Sequence, residues 1–320
     1  MLVAKVHTVC GPIEPDQLGF THTHEHILCD ARMTHRCEPP TRGAYMLLDD
    51  QSRAVTELKK FKDMGGGSMV ELTTASWGRD VKILKKISEA SGVHIIATTG
   101  FYTWPYIPQD MDTRSIPDLA NDLIVELTEG ADGAGTTAGI LKSAIHFDRI
   151  YGIEEKCLRA VARASIATGA AITTHTNGKR HQEIPGGNVG MQHVNILRDE
   201  GVCLNRLVVG HTDEQADVNF LSELAELGCY VQFDVLKKTH FMLDVTRAKL
   251  MSELIKRGYL ENLLLGTDRC RHTELYDERG GVGYTYILDT FVDMLKTEGV
   301  SDNEISQICR INPGQMLAYA

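Results

Sequence analysis

The segment GFTHTHEHIL (Gly19–Leu28) places histidines at alternate positions, at His22, His24 and His26. Because successive side chains of a β-strand point to opposite faces, a strand here would carry all three imidazoles on one face. Imidazole is the commonest protein ligand of transition metals. The segment therefore predicts a metal site, although the alternation alone does not say which histidines bind.

Further polar residues end short apolar runs later in the chain. They are Lys142 in AGILKSA, His175 in AAITTHT, His211 in RLVVGHT and Asp268 in NLLLGTD. A single buried histidine is most often a hydrogen-bonded core residue, because an unpaired buried polar group is costly. Several polar strand ends that meet at one barrel mouth are different, since barrel enzymes carry their chemistry there. Four imidazoles and a carboxylate suit zinc, manganese, iron or cobalt.

Lys142 is the unusual member of this set, because an ammonium group has no lone pair with which to bind a cation. If burial lowers the pKa of the amine, it can react with carbon dioxide to form a carbamate, whose two oxygens can bridge two metal ions. The alternative is that Lys142 binds substrate as a cation or points outward.

Eight apolar runs alternate with segments of helical period. The runs are Gly19–Ile27 and residues 68–74, 93–100, 138–144, 170–176, 206–212, 229–234 and 262–268. One predicted helix ends at Gly169 and has Leu158, Ala162 and Ile166 on a shared face. This alternation predicts either a (β/α)8 TIM barrel or an open doubly wound sheet. No glycine-rich dinucleotide fingerprint follows strand one, which favours the barrel.

The predicted barrel is one domain, residues 1–320, with a short segment 1–18 before strand one. The net charge of −10 argues against a nucleic-acid partner, and the expected partner is a small-molecule substrate. We find no signal peptide and no apolar run near the ~20 residues of a membrane helix, so we expect no membrane association. The cysteines form no CxxC pair, and the expected location is cytoplasmic.

An ordered set of motifs resembles the phosphotriesterase-related family of the amidohydrolase superfamily. TVCGPI, GFTHTHEHI, GRDV, ATTGFY, AGILK, ITTHT and VGHTD occur in the family's order, and the terminal TD includes Asp268. YVQFD and GGVGYTYIL resemble the branch called phosphotriesterase homology proteins. The resemblance implies a binuclear metal site at the C-terminal mouth of the barrel, and dimers in the family suggest a homodimer by analogy.

The resemblance also implies a ligand set. His24, His26 and Asp268 would hold a more buried ion, and His175 and His211 a more exposed one. Lys142, N6-carboxylated, would bridge the two with a hydroxide. The ions would be divalent transition metals, with zinc expected and manganese, cobalt or iron also suitable. His22 falls outside this pattern and is expected one pleat deeper in the barrel, as a core or supporting residue.

Residues in the predicted loops narrow the range of candidate substrates. Tyr102 stands where lactonase relatives carry tyrosine, and its hydroxyl would help to orient a lactone carbonyl. The alternative is that Tyr102 is an ordinary aromatic residue in the wall of the pocket. A basic cluster of Lys238, His240 and Arg271, followed by RGGVGY, would suit a phosphate group, and relatives acting on phosphorylated lactones use an arginine at the spacing of Arg271. The alternative is a solvated rim.

These features predict a hydrolase of ester bonds that opens a small polar sugar lactone, with or without a phosphate group, by attack of the bridging hydroxide. Asp268 would be the catalytic residue that takes the proton. One alternative is a phosphotriesterase or carboxylesterase with the same metal centre. Another is a metal-dependent binding protein without turnover.

Overall fold

The computed structural model describes residues 4–32, 46–146, 149–176, 189–214, 216–275 and 280–320. Arg279, at the start of the RGGVGY segment, lies outside the described residues. Eight strands form one sheet in which sequential neighbours pair in parallel. They are β1 (Phe20–Glu25), β2 (Gly66–Glu71), β3 (His94–Gly100), β4 (Ile140–Ala144), β5 (Ile172–His175), β6 (Leu207–Val209), β7 (Tyr230–Phe233) and β8 (Leu263–Leu265).

The sheet curls so that β8 returns to β1. The Thr23 hydroxyl donates to the Leu265 carbonyl at 2.8 Å, and the Asp268 amide donates to the His24 carbonyl at 3.0 Å. Gly266 permits this approach, because a Cβ there would lie 2.9 Å from the backbone of His24. The predicted TIM barrel is confirmed, with each predicted strand at its expected place.

Helices cover the outside of the barrel. They are α1 (Gln51–Asp63), α2 (Val81–Ser91), α3 (Ile116–Thr128), α4 (Gly152–Thr168), α5 (Val189–Asp199), α6 (Val218–Glu226), α7 (Asp244–Lys256), α8 (Val292–Thr297), α9 (Asp302–Ser306) and α10 (Asn312–Leu317). Gly169 ends α4 with φ of +79°, as predicted. The shared face predicted on α4 is partly wrong, since Leu158 and Ala162 are buried but Ile166 is 52% exposed. Ile166 lies eight residues after Leu158, so its side chain points about 80° away from that of Leu158 around the helix axis.

Alternate strand residues face two separate cores. One apolar cluster packs strands against helices, and a smaller one fills the barrel interior with residues such as Val70, Ile96, Ile140, Val208 and Leu264. Residues from both chain ends join the interior cluster, namely Val6, Leu18, Met316 and Leu317. Apolar packing thus fills the barrel below the strand ends. Among the described helices, none is both long and apolar enough to cross a membrane.

Candidate metal centre

The polar strand ends predicted from the sequence meet at the C-terminal mouth of the barrel. Ile140 belongs to the interior cluster, so Lys142, two residues along β4, also points inward and is 1% exposed. His24 and His26 are 1% and 2% exposed, and His211 is 4% exposed. His175 and Asp268 are partly exposed, and they form the side of the cluster nearest to solvent.

His24, His26 and Asp268 form an inner group in which the ligand atoms lie within 4.8 Å of one another. Asp268 Oδ1 lies 3.2 Å from His26 Nε2 and 3.6 Å from His24 Nε2. Lys142 Nζ lies 3.5 Å from the same His24 nitrogen. Two imidazole nitrogens and a carboxylate oxygen therefore converge on one point, with the lysine amine beside them. This donor set fits a divalent transition metal.

His175 and His211 form an outer pair on β5 and after β6. His175 Nδ1 and His211 Nε2 face each other at 2.7 Å. The other nitrogen of His175 lies 3.3 Å from the Tyr102 hydroxyl. The His211 ring stacks on the His24 ring with centroids 5.2 Å apart, so the outer pair adjoins the inner group.

Asp234, which follows β7, was missed by the sequence reasoning and connects the two groups. Its Oδ2 lies 2.6 Å from His24 Nδ1, and its Oδ1 lies 2.8 Å from His211 Nδ1. When each Nδ1 carries the proton that it donates to Asp234, each Nε2 keeps a lone pair for a metal. The sequence did carry a signal for Asp234, because CYVQFD is an apolar run that ends in a polar residue, as the other selected strands do.

A threonine orients the remaining histidine of the inner group. His26 Nδ1 lies 2.8 Å from Thr73 Oγ1, which in turn donates to Glu71 at 2.6 Å. Since the hydroxyl proton is given to Glu71, the threonine oxygen accepts the proton of His26 Nδ1. The Nε2 of His26 is therefore also left free toward Asp268.

Burial and neighbouring charges set the protonation states. Burial, with Lys142 nearby, lowers the pKa of His24 to about 4, and burial lowers the pKa of Lys142 to about 8. Burial opposes the charged form of His211, but Asp234 raises its pKa to about 9. Burial likewise opposes ionised Asp268, yet Lys238 and the histidines hold its pKa well below the usual range. The site thus favours a positive charge at His211, which a metal ion can supply in place of the proton.

His22 does not lie on the face that the alternation predicts. The pairing of β1 with β2 is irregular between His22 and Glu25, which is a β-bulge, and it breaks the strict alternation. His22 consequently faces the helices, where its ring meets Phe61 of α1 edge-on with centroids 4.7 Å apart. Its expected position deeper in the barrel is wrong, although its separation from His24 and His26 agrees with the prediction.

Strained backbone accompanies the site. Among described residues other than glycine, four have φ in the left-handed region, and three of them lie at strand ends of this mouth: His211, Lys237 and Asp268. Such conformations cost energy and persist where surrounding contacts enforce them. Arg247 of α7 supplies some of these contacts, since it is fully buried and lies within 2.8 Å of both Asp213 and Asp244. Asp244 accepts the Lys237 amide at 3.1 Å.

Two of the predicted substrate residues reach the metal centre. Lys238 is 8% exposed and donates to both the carboxylate and, at 2.6 Å, the carbonyl of Asp268. Tyr102 contacts His175 and stacks on Trp77 with centroids 4.6 Å apart. Trp77, which the sequence reasoning did not single out, also meets His26 edge-on at 4.8 Å. Trp77 and Tyr102 together form an aromatic wall over both metal-binding groups.

The other predicted substrate residues lie further out. His240 is exposed and its ring contacts Phe241, while Arg271 is partly exposed and lies between Met46 and Glu274. Gly281, in the RGGVGY segment, packs closely, because a Cβ there would lie 1.5 Å from the Leu275 carbonyl oxygen.

This chain is similar to known proteins along almost its whole length. The profile of the phosphotriesterase family matches residues 4–317. An N-acetyltaurine hydrolase of Rattus norvegicus is 31% identical over 357 aligned positions that cover 99% of each chain. The phosphotriesterase homology protein of Escherichia coli, solved with phosphate in its active site, is 29% identical, with a TM-score of 0.86 over 94% of this chain and 99% of that one. A lactonase from Listeria monocytogenes is 26% identical, with a TM-score of 0.89 and 99% coverage of both chains.

The family match covers almost the whole barrel, including every strand and every residue of the inner group and outer pair. The similar proteins include hydrolases named for an amide and for lactones. The predictions of the family and of a hydrolase are therefore confirmed. The class of bond that was predicted, the ester, is extended to include amides. This chain is a hydrolase acting on ester or amide bonds, and it belongs to the phosphotriesterase family.

Proposed function

We propose that this chain is a two-metal hydrolase whose ligands are the inner group, the outer pair and a carboxylated Lys142. The convergence of the inner group carries the proposal, since its three ligand atoms lie within 4.8 Å of one another. The facing nitrogens of His175 and His211 support a second ion beside it. The two histidines of the inner group are buried, whereas His175 of the outer pair is partly exposed. Zinc is the expected metal.

Lys142 supports the carbamate version of this site. With a pKa of about 8, roughly a tenth of its amine is neutral at pH 7. The neutral amine attacks carbon dioxide, a nitrogen–carbon bond forms, and one proton leaves to solvent. The product replaces a cation with an anion that carries two oxygens. That change removes the repulsion between Lys142 and any metal held by His24, which lies 3.5 Å away.

The residues around the ions divide the remaining work. Two bound divalent ions would lower the pKa of a bridging water and polarise the scissile carbonyl. Asp268 Oδ1 faces His26 Nε2 within the inner group and can accept the proton that the nucleophile loses. Because Lys238 holds the pKa of Asp268 low, the carboxyl group releases that proton readily to the leaving group. The aromatic wall excludes water from one side of the reacting bond.

Lys238 and the aromatic wall favour a small substrate that carries an anionic group. A polar sugar lactone with a phosphate group has both features, and the similar Escherichia coli protein holds phosphate in its active site. A second candidate is an N-acyl amide with an acidic group, because the relatives aligned along their whole length include N-acetyltaurine hydrolases. Phosphotriesters and simple carboxylesters are the weaker alternatives, since neither needs a buried cation beside Asp268. A binding protein without turnover is disfavoured by the hydrolase relatives.

A substrate panel tests this proposal. Metal-loaded protein is offered sugar lactones with and without phosphate, N-acetyl amino acids and sulfonates, neutral aryl esters and a phosphotriester. We expect an anionic lactone or amide to be the best substrate, and Lys238→Met to raise its KM at least about tenfold, the loss of one charge-assisted contact. Arg271→Ala serves as the rim comparison. A neutral best substrate, or an equal rise in KM for neutral and anionic substrates in Lys238→Met, would contradict the substrate assignment.

Metal analysis tests the centre itself. We expect about two transition-metal ions per chain after reconstitution. Protein that takes up none would exclude the two-metal scheme. The homodimer and the cytoplasmic location stay predictions, and sedimentation of the purified protein tests the first of them.

A further inference from the structure

Glu25 lies between two residues of the inner group in sequence but on the opposite face of β1. It is fully buried, and its carboxylate accepts hydrogen bonds from three donor groups in the segment that follows β8. The Thr267 amide donates to Oε1 at 2.9 Å, and the Thr267 hydroxyl contacts both oxygens at 2.7 Å. The Arg269 amide donates to Oε2 at 3.1 Å. Glu25 therefore binds the residues on both sides of Asp268.

The conformation of Asp268 explains why such a clamp is needed. Asp268 has φ of +48°, a region that is costly for a residue with a Cβ. A carboxylate that fixes the amides before and after it restrains the chain in this turn. The turn in turn directs Asp268 Oδ1 toward His26 Nε2 at 3.2 Å.

His22 completes the arrangement. Its Nδ1 lies 2.8 Å from Glu25 Oε1, and both side chains are fully buried. This contact spans three residues along one strand and is possible only because of the β-bulge between them. The opening histidine of the HTHEH-containing motif thus contacts the residue that clamps Asp268.

We propose that Glu25, supported by His22, is a positioning residue for Asp268. Its carboxylate holds Thr267 and Arg269 so that the Asp268 side chain points toward His24 and His26 before any metal binds. The inference rests on the metal centre proposed above. Closure of the barrel does not require this role, because the Thr23 hydroxyl and the Asp268 amide already join β1 to the end of β8.

The test compares Glu25→Gln with a matched control, Glu154→Gln. Glu154 is also buried and accepts a backbone amide, that of Tyr151 at 3.1 Å, at the start of α4. The first measurement is amide hydrogen exchange in metal-free protein. Glu25→Gln should speed the exchange of at least one of the Thr267 and Arg269 backbone amides about tenfold or more, since the glutamine side chain can accept at only one of the two positions. Glu154→Gln should leave both backbone amides unchanged.

The second measurement is zinc affinity, by competition with a chromogenic chelator. Glu25→Gln should lower the affinity for one of the two zinc ions by roughly 10- to 100-fold, which is the range seen when a residue that orients a metal ligand is replaced. His22→Phe, which keeps a ring against Phe61, should give a smaller loss in the same direction. The double variant Glu25→Gln/Asp268→Asn should bind zinc as weakly as Asp268→Asn alone, because both changes remove the same contact.

The outcomes separate the clamp from the centre. If wild-type protein binds no metal, both the proposed function and this inference fail. If wild type binds two ions and Glu25→Gln binds them equally well, only the clamp is wrong. Equal losses in Glu25→Gln and Glu154→Gln, or additive losses in the double variant, would show general loosening of the fold and would also overturn the clamp.

Discussion

The inner group and the outer pair differ in what holds the ring nitrogens that point away from the metal positions. In the inner group, His24 is held by the Asp234 carboxylate at 2.6 Å and His26 by the Thr73 hydroxyl at 2.8 Å. In the outer pair, His211 shares Asp234, but the corresponding nitrogen of His175 has the Tyr102 hydroxyl at 3.3 Å. The hydrogen bonds that orient the ligand histidines therefore become weaker from the buried side of the mouth to the side facing solvent.

This gradient separates the two tasks of the site. A buried ligand can be held rigidly, because nothing has to enter beside it. His175 borders the space that substrate must occupy, and its partner Tyr102 belongs to the aromatic wall. One contact thus joins the outer metal position to the substrate side. Lys142 and Asp234 belong to both halves and should matter most.

Replacing Lys142 should have the largest effect. Lys142→Met removes the proposed bridge, and a bridge that supplies several kcal/mol of charge stabilisation accounts for a rate loss on the order of 10³-fold. Lys142→Glu restores a carboxylate without carbon dioxide. We expect it to bind metal and to hydrolyse substrate far better than Lys142→Met, and without dependence on bicarbonate. Equal activity of Lys142→Met and wild type would remove Lys142 from the centre.

Asp234 and Thr73 provide a direct test of the gradient. Asp234→Asn should weaken metal binding by roughly 10- to 100-fold, because it replaces the acceptor of both His24 and His211. Thr73→Val removes the acceptor of His26 alone. A neutral hydroxyl makes about half the contribution of a charged acceptor, so its effect should be several-fold smaller. Zinc titration of both variants would contradict the comparison if Thr73→Val had the larger effect.

Residues at strand ends were predictable from the sequence for a physical reason. A polar residue that closes an apolar run must lie near other strand ends in a parallel barrel, so His175, His211 and Asp268 could be identified without a structure. Asp234 satisfied the same rule and was overlooked. His22 could not be placed correctly, because a bulge within a strand leaves no clear mark on the hydrophobic pattern.

Residues that orient the ligands were less predictable. Thr73 lies 47 positions from His26 in sequence, and Asp234 lies 210 positions from His24. Such pairs are made by the order of strands around the barrel rather than by any local motif. Trp77 was missed similarly, since only the fold brings it against His26. Lys238 was predicted as a substrate contact, but its ion pair with Asp268 depends on the loop after β7.

The pKa of Lys142 gives a prediction for reconstitution. Because burial lowers this pKa from 10.5 to about 8, the neutral fraction of the amine rises between pH 7 and pH 9. That fraction increases from about 0.1 to about 0.9, so at a fixed concentration of dissolved carbon dioxide, supplied by bicarbonate, activation of metal-free protein by zinc should be roughly tenfold faster at pH 9 than at pH 7. Lys142→Glu provides the control and should show no such rise. A rate independent of both pH and bicarbonate would exclude the carbamate.

Tyr102 should show the smallest effect and tests the weak end of the gradient. Tyr102→Phe keeps the stack on Trp77 but removes the hydroxyl from His175. The loss of one hydrogen bond predicts a two- to tenfold lower kcat/KM, about 0.5–1.5 kcal/mol. Tyr259→Phe is the matched control, since it removes a hydroxyl from Glu226 at the surface. If the outer metal is held mainly from within the barrel, Tyr102→Phe should leave zinc affinity within about twofold of wild type while kcat/KM falls. A zinc loss as large as that of Asp234→Asn would mean that the outer pair depends on the substrate wall, and the gradient between the two halves would be wrong.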